Sequence, residues 1–416
     1  MIINIIQACV LLSSIVVGFK ATNITHIINY TVFIIMLVPT TVRFTAIQGL
    51  TIHSVAITIL FVHLLMRKSI RQTGISIHLP AVLIPLLSFI IYSICISYFH
   101  SELTTMGCFY SIWISLFLFL ILVFSNNSLE ATILIRRILY IALFIAIYSF
   151  IEFILKKNLI YSSLAEYASS SNYIRTYRSY GTTNHSLTLA NMLIMVLPLV
   201  KFARFRLLIS KPEFLILNIA LTIAIFLTCS RAASLLTVGY FLFTYLSFWA
   251  AGVVFPSIIF CNVLLLKYLS TNFLTQNLVG RFLTETNSTA VRVNNFQNFV
   301  LMLPENVFGN GLGTSAIQYQ TRFATTEILE NPWAATVLDV GIVGLVLLIT
   351  SMVFIIRKIG HKLPVLPLTV LMLAMTTAYN SFSAYSNLIM FYMILLLVFR
   401  ALTPTTEPRT MLNKDK

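Results

Sequence analysis

The chain has 416 residues, of which 58% are hydrophobic and 9% charged, and it carries a net charge of +15. That composition excludes a soluble globular domain, which could not cover so large an apolar core with polar surface. The positive charge does not point to nucleic acid, because most of it falls in short clusters between apolar runs: Arg67, Lys68 and Arg71; Arg136 and Arg137; Lys201, Arg204, Arg206 and Lys211; Arg357, Lys358 and Lys362. This is the positive-inside pattern of a polytopic helical membrane protein, and it assigns the clusters to the cytoplasmic side.

The first apolar segment, Ile3 to Phe19, has no basic n-region and no small-residue cleavage site, so no cleavable signal peptide is expected. Runs long enough to cross a bilayer follow at 27–42, 49–66, 79–99, 106–125, 136–155, 187–203, 214–230, 232–249, 252–269, 333–356, 364–380 and 386–402. Pro39, Thr40, Thr41 and Arg43 crowd the end of the second run, and about twelve crossings are expected. Residues 1–402 then form one transmembrane domain, and 403–416 form a polar cytoplasmic tail. Two longer segments, about 156–186 and about 270–332, fall on the outer face, and loops of such length are usually functional. The five cysteines stand singly in apolar runs, and neither they nor the seven histidines show metal-ligand spacing, so no metal or other cofactor is expected.

In the first outer segment Arg175 and Arg178 sit among tyrosines and serines, on the side where topology does not call for positive charge. Tyrosine beside arginine suits sugar stacking and phosphate contact; an interfacial tyrosine belt is the plainer explanation. His185, at the start of the next helix, could carry a proton near neutral pH or have no role. Arg231 is the one charged residue between Glu213 and Lys267 and comes about one crossing after the cytoplasmic cluster, near the outer surface. A guanidinium there either snorkels to head groups or binds an anion.

The second outer segment is close to neutral, with Arg281, Arg292 and Arg322 set against Glu285, Glu305, Glu327 and Glu330. Arg292 opens a stretch with Phe296, Phe299, Val300 and Leu303 spaced for a helix lying on the membrane surface. Gly309, Gly311 and Gly313 in "FGNGLG" could cradle a phosphate through backbone N–H groups or form an ordinary turn. Asn331 followed by Pro332 reads as an N-cap and first helical position. Glu330 is therefore placed just before a helix, where it gains from the helix dipole or serves as a general base. Asp339, deeper in that helix and one of two aspartates in the chain, must face protein or water. It reads as a supporting partner for an arginine.

Four stretches in order, "RSYGTTNHSLTLANMLIMVLPL" (178–199), "TCSRAASLL" (228–236), "VRVNNFQNFV…PENVFGNGLG" (291–313) and "ENPWAATVLDVGIVGL" (330–345), resemble the bacterial O-antigen ligase/polymerase superfamily. The resemblance implies an all-α membrane bundle of about twelve helices, with one large periplasmic loop between two late helices. It also implies a metal-independent glycosyltransferase in the inner membrane, taking glycan from undecaprenyl pyrophosphate on the periplasmic side. Arg231 with Leu235 matches the family's R-x-x-x-L motif, and Arg292 matches the arginine that opens the large loop's amphipathic segment; both are read there as pyrophosphate-holding groups. Glu330 stands where many members, the ligases above all, carry histidine, while Asn331 and Gly341 match and Asp339 stands where glutamate is frequent. A carboxylate in place of the imidazole favours a polymerase, in which Glu330 activates the acceptor while Arg231 and Arg292, assisted by Arg175, Arg178, Arg322 or His185, neutralise the pyrophosphate. The partners so implied are lipid-linked glycan donor and acceptor, the bilayer, and a chain-length regulator and flippase. The rivals are a ligase acting on lipid A–core and a lipid-linked oligosaccharide flippase.

Overall fold

A computed structural model of the chain describes residues 2–21, 24–39, 50–71, 81–100, 110–125, 131–161, 177–183, 185–245, 287–324 and 331–360. The apolar runs at 252–269, 364–380 and 386–402, the tail, Arg175 and Glu330 lie outside these residues. Among the described residues the fold is all-helical. The helices are α1 (Ile2–Lys20), α2 (Ile24–Leu37), α3 (Ile52–Arg71), α4 (Ile84–Phe99), α5 (Ser115–Ser125), α6 (Ala131–Leu155), α7 (Ser186–Phe205), α8 (Lys211–Leu227), α9 (Arg231–Tyr245), α10 (Asn287–Met302), α11 (Ser315–Phe323) and α12 (Pro332–Gly360).

Three of these have stretches long and apolar enough to cross a membrane: Ala131–Leu155, Ser186–Phe205 and Trp333–Phe354. Four shorter apolar helices accompany them: Asn4–Lys20, Thr25–Leu37, Ile52–Met66 and Ile84–Phe99. Observed ends depart from the apolar runs where local chemistry overrides hydropathy. The second helix stops at Leu37 rather than 42, because the residue before Pro39 is pushed out of the α region. The sixth begins at Ala131 rather than 136, so Arg136 and Arg137 ride on the helix itself.

The centre of the bundle is α7, which buries 89% of its most apolar stretch, with α6, α8 and α9 packed around it. The surrounding helices keep apolar faces on the outside: Phe144, Ile147, Phe150 and Ile154 on α6, Leu215, Ile219 and Ile223 on α8, and Ile342, Val346 and Ile349 on α12. Water penalises such faces and hydrocarbon does not. Lipid tails are as apolar as leucine, so close packing and hydrogen bonds must hold the helices together. Gly18 of α1, for example, leaves room for the His63 ring of α3, which meets Phe19 edge-on at 4.5 Å between centroids.

Two of the basic clusters share one end of the bundle, as the positive-inside pattern requires. There Tyr140 donates to Glu213 Oε1 at 2.8 Å, and Arg136 donates to Tyr140 at 3.2 Å. Glu213 also closes the capping box that starts α8, its Oε2 accepting from the Ser210 N–H at 2.7 Å. The N–H and hydroxyl of Ser210, with Tyr140 beside them, hold its carboxyl down at about 2. The opposite end collects the C-termini of α2, α6 and α8 and the N-termini of α7 and α9.

The long transmembrane helix α12 is broken. Gly341 leaves the helical region with φ 72° and ψ 179°, about 13 Å along the axis from Pro332 at 1.5 Å per residue. An open backbone at that depth is tolerated only when protein satisfies its polar groups, and here residues 306–314 do so. Gly311 N–H donates to the Asp339 carbonyl at 2.9 Å, Asn310 N–H to the same carbonyl at 3.1 Å, and Ile342 N–H to the Val307 carbonyl at 2.9 Å. From α4, the Tyr92 hydroxyl donates to the Phe308 carbonyl at 3.0 Å, and Ser97 Oγ accepts from Leu312 N–H at 3.0 Å. The expected outer loop therefore turns back into the bundle and fills the break.

The fit depends on glycine on both sides. A Cβ on Gly309 would land in the backbone of Val340 and Gly341, and one on Gly341 would strike Val307 and Phe308. Gly309→Ala is therefore expected to destabilise the protein by about 3 kcal/mol, from the clash and its positive φ together. Gly239→Ala on α9, where an added Cβ meets nothing within 4 Å, should be neutral or stabilise by up to about 1 kcal/mol. Thermal midpoints in detergent compare the two, and equal midpoints would mean that the glycines are not in contact.

Candidate functional site at the end opposite the basic clusters

The first half of the site is built on α12. Asn331 Oδ1 accepts from the N–H groups of Trp333 at 2.9 Å and Ala334 at 3.2 Å, and its carbonyl accepts from Ala335 at 3.0 Å. It is the N-cap that the Asn–Pro pair predicts.

Two turns on, the half-buried carboxylate of Asp339 takes on a role the sequence did not suggest. Its Oδ1 accepts from the N–H of Ser315, the first residue of α11, at 2.8 Å, and the backbone of Gly313 and Thr314 lies close by. Among the described residues the partner of Asp339 is the N-terminus of a helix, whose exposed N–H groups and dipole favour negative charge as an arginine would.

The same contacts decide between the two readings of the glycine turn. Gly309, Gly311 and Gly313 all have positive φ, at 84°, 104° and 76°, but the N–H groups of Asn310 and Gly311 are already used on α12, that of Leu312 on Ser97 of α4 and that of Thr314 on the Gly311 carbonyl. A phosphate cradle has lost its donors here. The turn is a structural clasp, extended by Asn310, whose side chain donates to Gln318 Oε1 at 2.9 Å and to Asn306.

The helix carrying Arg292, α10, packs on the first half of α12 through a satellite core of Phe299, Met302, Tyr319, Ala334, Val337 and Leu338. Tyr319 pins it, donating to Asn295 Oδ1 at 2.6 Å and accepting from Asn298 Nδ2 at 3.1 Å. The expected surface stripe is thus divided. Phe299 and Leu303 turn inward, whereas Phe296 and Val300 stay outside with Leu301, Val307 and Phe308. Arg322, at the C-terminal end of α11, makes a two-pronged ion pair with Glu305, Nη2 to Oε1 at 2.9 Å. This pair holds the Glu305 carboxyl below its ordinary range.

The second half of the site is organised by a residue that sequence reasoning missed. Glu152, in the last turn of α6, is fully buried. Its Oε1 accepts from the Tyr177 hydroxyl at 2.9 Å and the Tyr180 N–H at 3.0 Å, and its Oε2 from the Gly181 N–H at 2.6 Å. Hydrogen bonds to a charged acceptor are worth about 1.5–3 kcal/mol each, enough to order a short loop. Burial and the neighbouring carboxylate push the Tyr177 hydroxyl well above its usual range, so it remains a donor.

The surrounding bonds continue the anchorage. Asn158 Nδ2 donates to the Gly181 carbonyl at 2.8 Å, the Thr182 hydroxyl to the Met36 carbonyl at 2.7 Å, and Ser179 N–H to the Leu227 carbonyl at 3.1 Å. The last of these joins the loop bearing the half-buried Arg178 to the end of α8, next to the turn that leads into Arg231 at the start of α9. A signal for Glu152 was present: it is the one acidic residue in α6, and a carboxylate inside an apolar span needs a partner.

Of the expected residues, then, the fold brings together the backbone of Arg178 and the start of α9. Separately, it brings together the Arg292 helix, Arg322, Asn331 and Asp339. Both halves rest on one apolar core, to which Leu312, Val340 and Trp333 contribute from the second. His185 is the N-cap of α7, its Nδ1 accepting from Leu187 N–H at 3.2 Å, so this ring nitrogen is engaged in structure. Among the described residues no group of three histidines, cysteines or acids could hold a metal ion.

If Asp339 holds the clasp, Asp339→Ala should cost about 2 kcal/mol by stranding the Ser315 N–H, and Asp339→Asn, which keeps one acceptor, roughly half as much. Thermal unfolding in detergent is the check, and unchanged midpoints in both variants would remove Asp339 from this role. No protein-family model matches the chain, and no curated protein matches it.

Proposed function

We propose that this chain is an inner-membrane glycosyltransferase of about twelve crossings that polymerises lipid-linked repeat units into O-antigen or a related surface polysaccharide. What supports the reading is the pairing of the four family-like stretches in space. Ser179 of the first is bonded to Leu227, at the turn leading into the second, and the "FGNGLG" of the third is interlocked with the "LDVG" of the fourth. Segments far apart in the chain thus meet in two clusters, each with arginine on its chain.

In the proposed reaction the growing glycan on undecaprenyl pyrophosphate is the donor, and a lipid-linked repeat unit is the acceptor. Glu330, the residue before the Asn331 cap, takes the proton of the acceptor hydroxyl as its oxygen attacks the anomeric carbon. The bond from that carbon to the phosphate oxygen breaks, and undecaprenyl pyrophosphate leaves with the electron pair. Glutamate has an ordinary pKa near 4.3 and is ionised at neutral pH without special tuning. Arg231 and Arg292, with Arg175 or Arg178, offer the leaving group guanidinium forks that bind phosphate bidentately and keep their protons, and Arg322 can join them only by leaving its pair with Glu305. Because such charge is preorganised, the scheme calls for no metal. Donor and acceptor lipids, a flippase to deliver them and a chain-length regulator are the partners this function calls for.

One observation favours a transporter instead: α12 is discontinuous, and lipid-substrate and ion sites in transporters are often built on broken helices. Here, however, the carbonyls of Leu338 and Asp339 and the N–H of Ile342 are already bonded to residues 307–311. They are not available to a cargo.

Deletion and complementation read on a lipopolysaccharide gel test the proposal. Loss of this chain should leave core carrying a single repeat unit; bare core with accumulating lipid-linked polymer would indicate the ligase instead. Glu330→Gln should lower polymerisation by about 10²-fold or more, the usual contribution of a general base. A full ladder from that variant would remove Glu330 as the base, and wild-type turnover by Arg231→Ala would remove the pyrophosphate role.

A further inference from the structure

We propose that Glu152 is a positioning residue for anion binding, acting by fixing the loop 177–181 from which Arg178 projects; the ligand class rests on the functional reading above. The carboxylate is fully buried and is met by neutral donors: the Tyr177 hydroxyl and the N–H groups of Tyr180 and Gly181. Arg178 lies between these contacts in the chain. The loop bends around the carboxylate, with Gly181 at φ 57°, and a Cβ there would crowd Leu189 and Ser149.

The negative charge gives this anchor its strength, since hydrogen bonds to an ionised acceptor are about twice as strong as neutral ones. It also gives it direction. Two successive N–H groups turn toward Glu152, so the residue just before Ser179 is committed to a fixed place at the end of the bundle. The Ser179 N–H to Leu227 carbonyl bond and the Ser179 hydroxyl to Ser149 carbonyl bond complete the clamp between α6 and α8. Without the carboxylate, the half-buried Arg178 would sit on a loop held only by the Ser179, Gly181 and Thr182 bonds, and more of the ordering cost would fall on ligand binding. The occupant is a phosphate or pyrophosphate group, because Arg178 is carried on a loop whose backbone is bonded to the end of α8, next to the turn that leads into Arg231, and guanidinium forks suit that chemistry.

The replacements separate charge from shape. In Glu152→Gln, Oε1 can still accept from Tyr177 and Tyr180, but the side-chain NH2 opposes the Gly181 N–H. Glu152→Asp keeps the charge and withdraws both oxygens.

The experiment uses the full-length protein in nanodiscs with two readouts. Hydrogen exchange over 177–183 should show protected amides at Tyr180 and Gly181 in the wild type, with exchange at Gly181 about tenfold faster in Glu152→Gln. Binding of a synthetic short-chain polyprenyl pyrophosphate should weaken about tenfold in Glu152→Gln and in Arg178→Ala. The double variant should be no weaker than Arg178→Ala alone, because one residue acts through the other. Unprotected amides in the wild type, or unchanged exchange in both Glu152 variants, would overturn the anchoring role. Additive losses in the double variant would overturn positioning through Arg178. A wild type that binds no polyprenyl pyrophosphate would overturn the ligand and the functional reading beneath it, while the exchange result would still decide whether Glu152 holds the loop. If Glu152→Gln fails to fold, Glu152→Asp and the wild-type exchange pattern carry the same decision.

Discussion

The close approach of two glycine backbones, Gly309 in a re-entrant loop and Gly341 in a broken transmembrane helix, is the contact on which the second half of the site depends. In hydrocarbon an unpaired peptide group costs several kcal/mol, so neither the break nor the loop could exist alone. Together they satisfy each other: the carbonyls of Leu338 and Asp339 accept from the loop, and the Val307 carbonyl accepts from the far side of the break. Once that contact is made, α11 must start where Asp339 can bond its first N–H group. The satellite core around Phe299, Tyr319 and Leu338 then brings α10 to the first half of α12. The placement of the Arg292 helix beside the Asn331 cap is thus a consequence of backbone pairing at depth.

Both acids of the site region, the fully buried Glu152 and the half-buried Asp339, work on the backbone. Glu152 holds the N–H groups of Tyr180 and Gly181, and Asp339 holds that of Ser315 at the start of α11. This division of labour suits anion chemistry. An arginine bridged to an internal carboxylate has spent its charge, as Arg322 has partly done with Glu305. If scarce acids order loops, guanidiniums carried on those loops keep their charge for a substrate.

Hydropathy and charge clusters made the helical membrane class legible, and the Asn331–Pro332 pair marked the start of α12 to the residue. The break at Gly341 was not legible, because a single glycine in an apolar helix is common and its φ depends on what approaches it. The three-glycine turn was visible as a turn, but its partner was not, since hydrogen bonds to a distant helix leave no local spacing. Asp339 was marked as needing a partner, and the partner proved to be a helix N-terminus, which no side-chain search would find. The amphipathic spacing at 296–303 was real, but it could not tell that Phe299 faces a satellite core while Phe296 stays exposed. Glu152 lies inside an apolar run whose length hides it, although a lone acid in α6 needs a partner as much as Asp339 does.

A disulfide test reads the re-entrant geometry most directly. In a chain stripped of its five native cysteines, Val307→Cys and Ile342→Cys would be introduced together and oxidised in isolated membranes. The backbone bond between these two residues, 2.9 Å from N to O, brings their backbones into direct contact, the proximity that a disulfide requires. Rapid, near-complete intramolecular cross-linking is expected, scored by loss of thiol labelling. Two thiols that stay freely labelled under oxidation would contradict a loop seated in the break of α12.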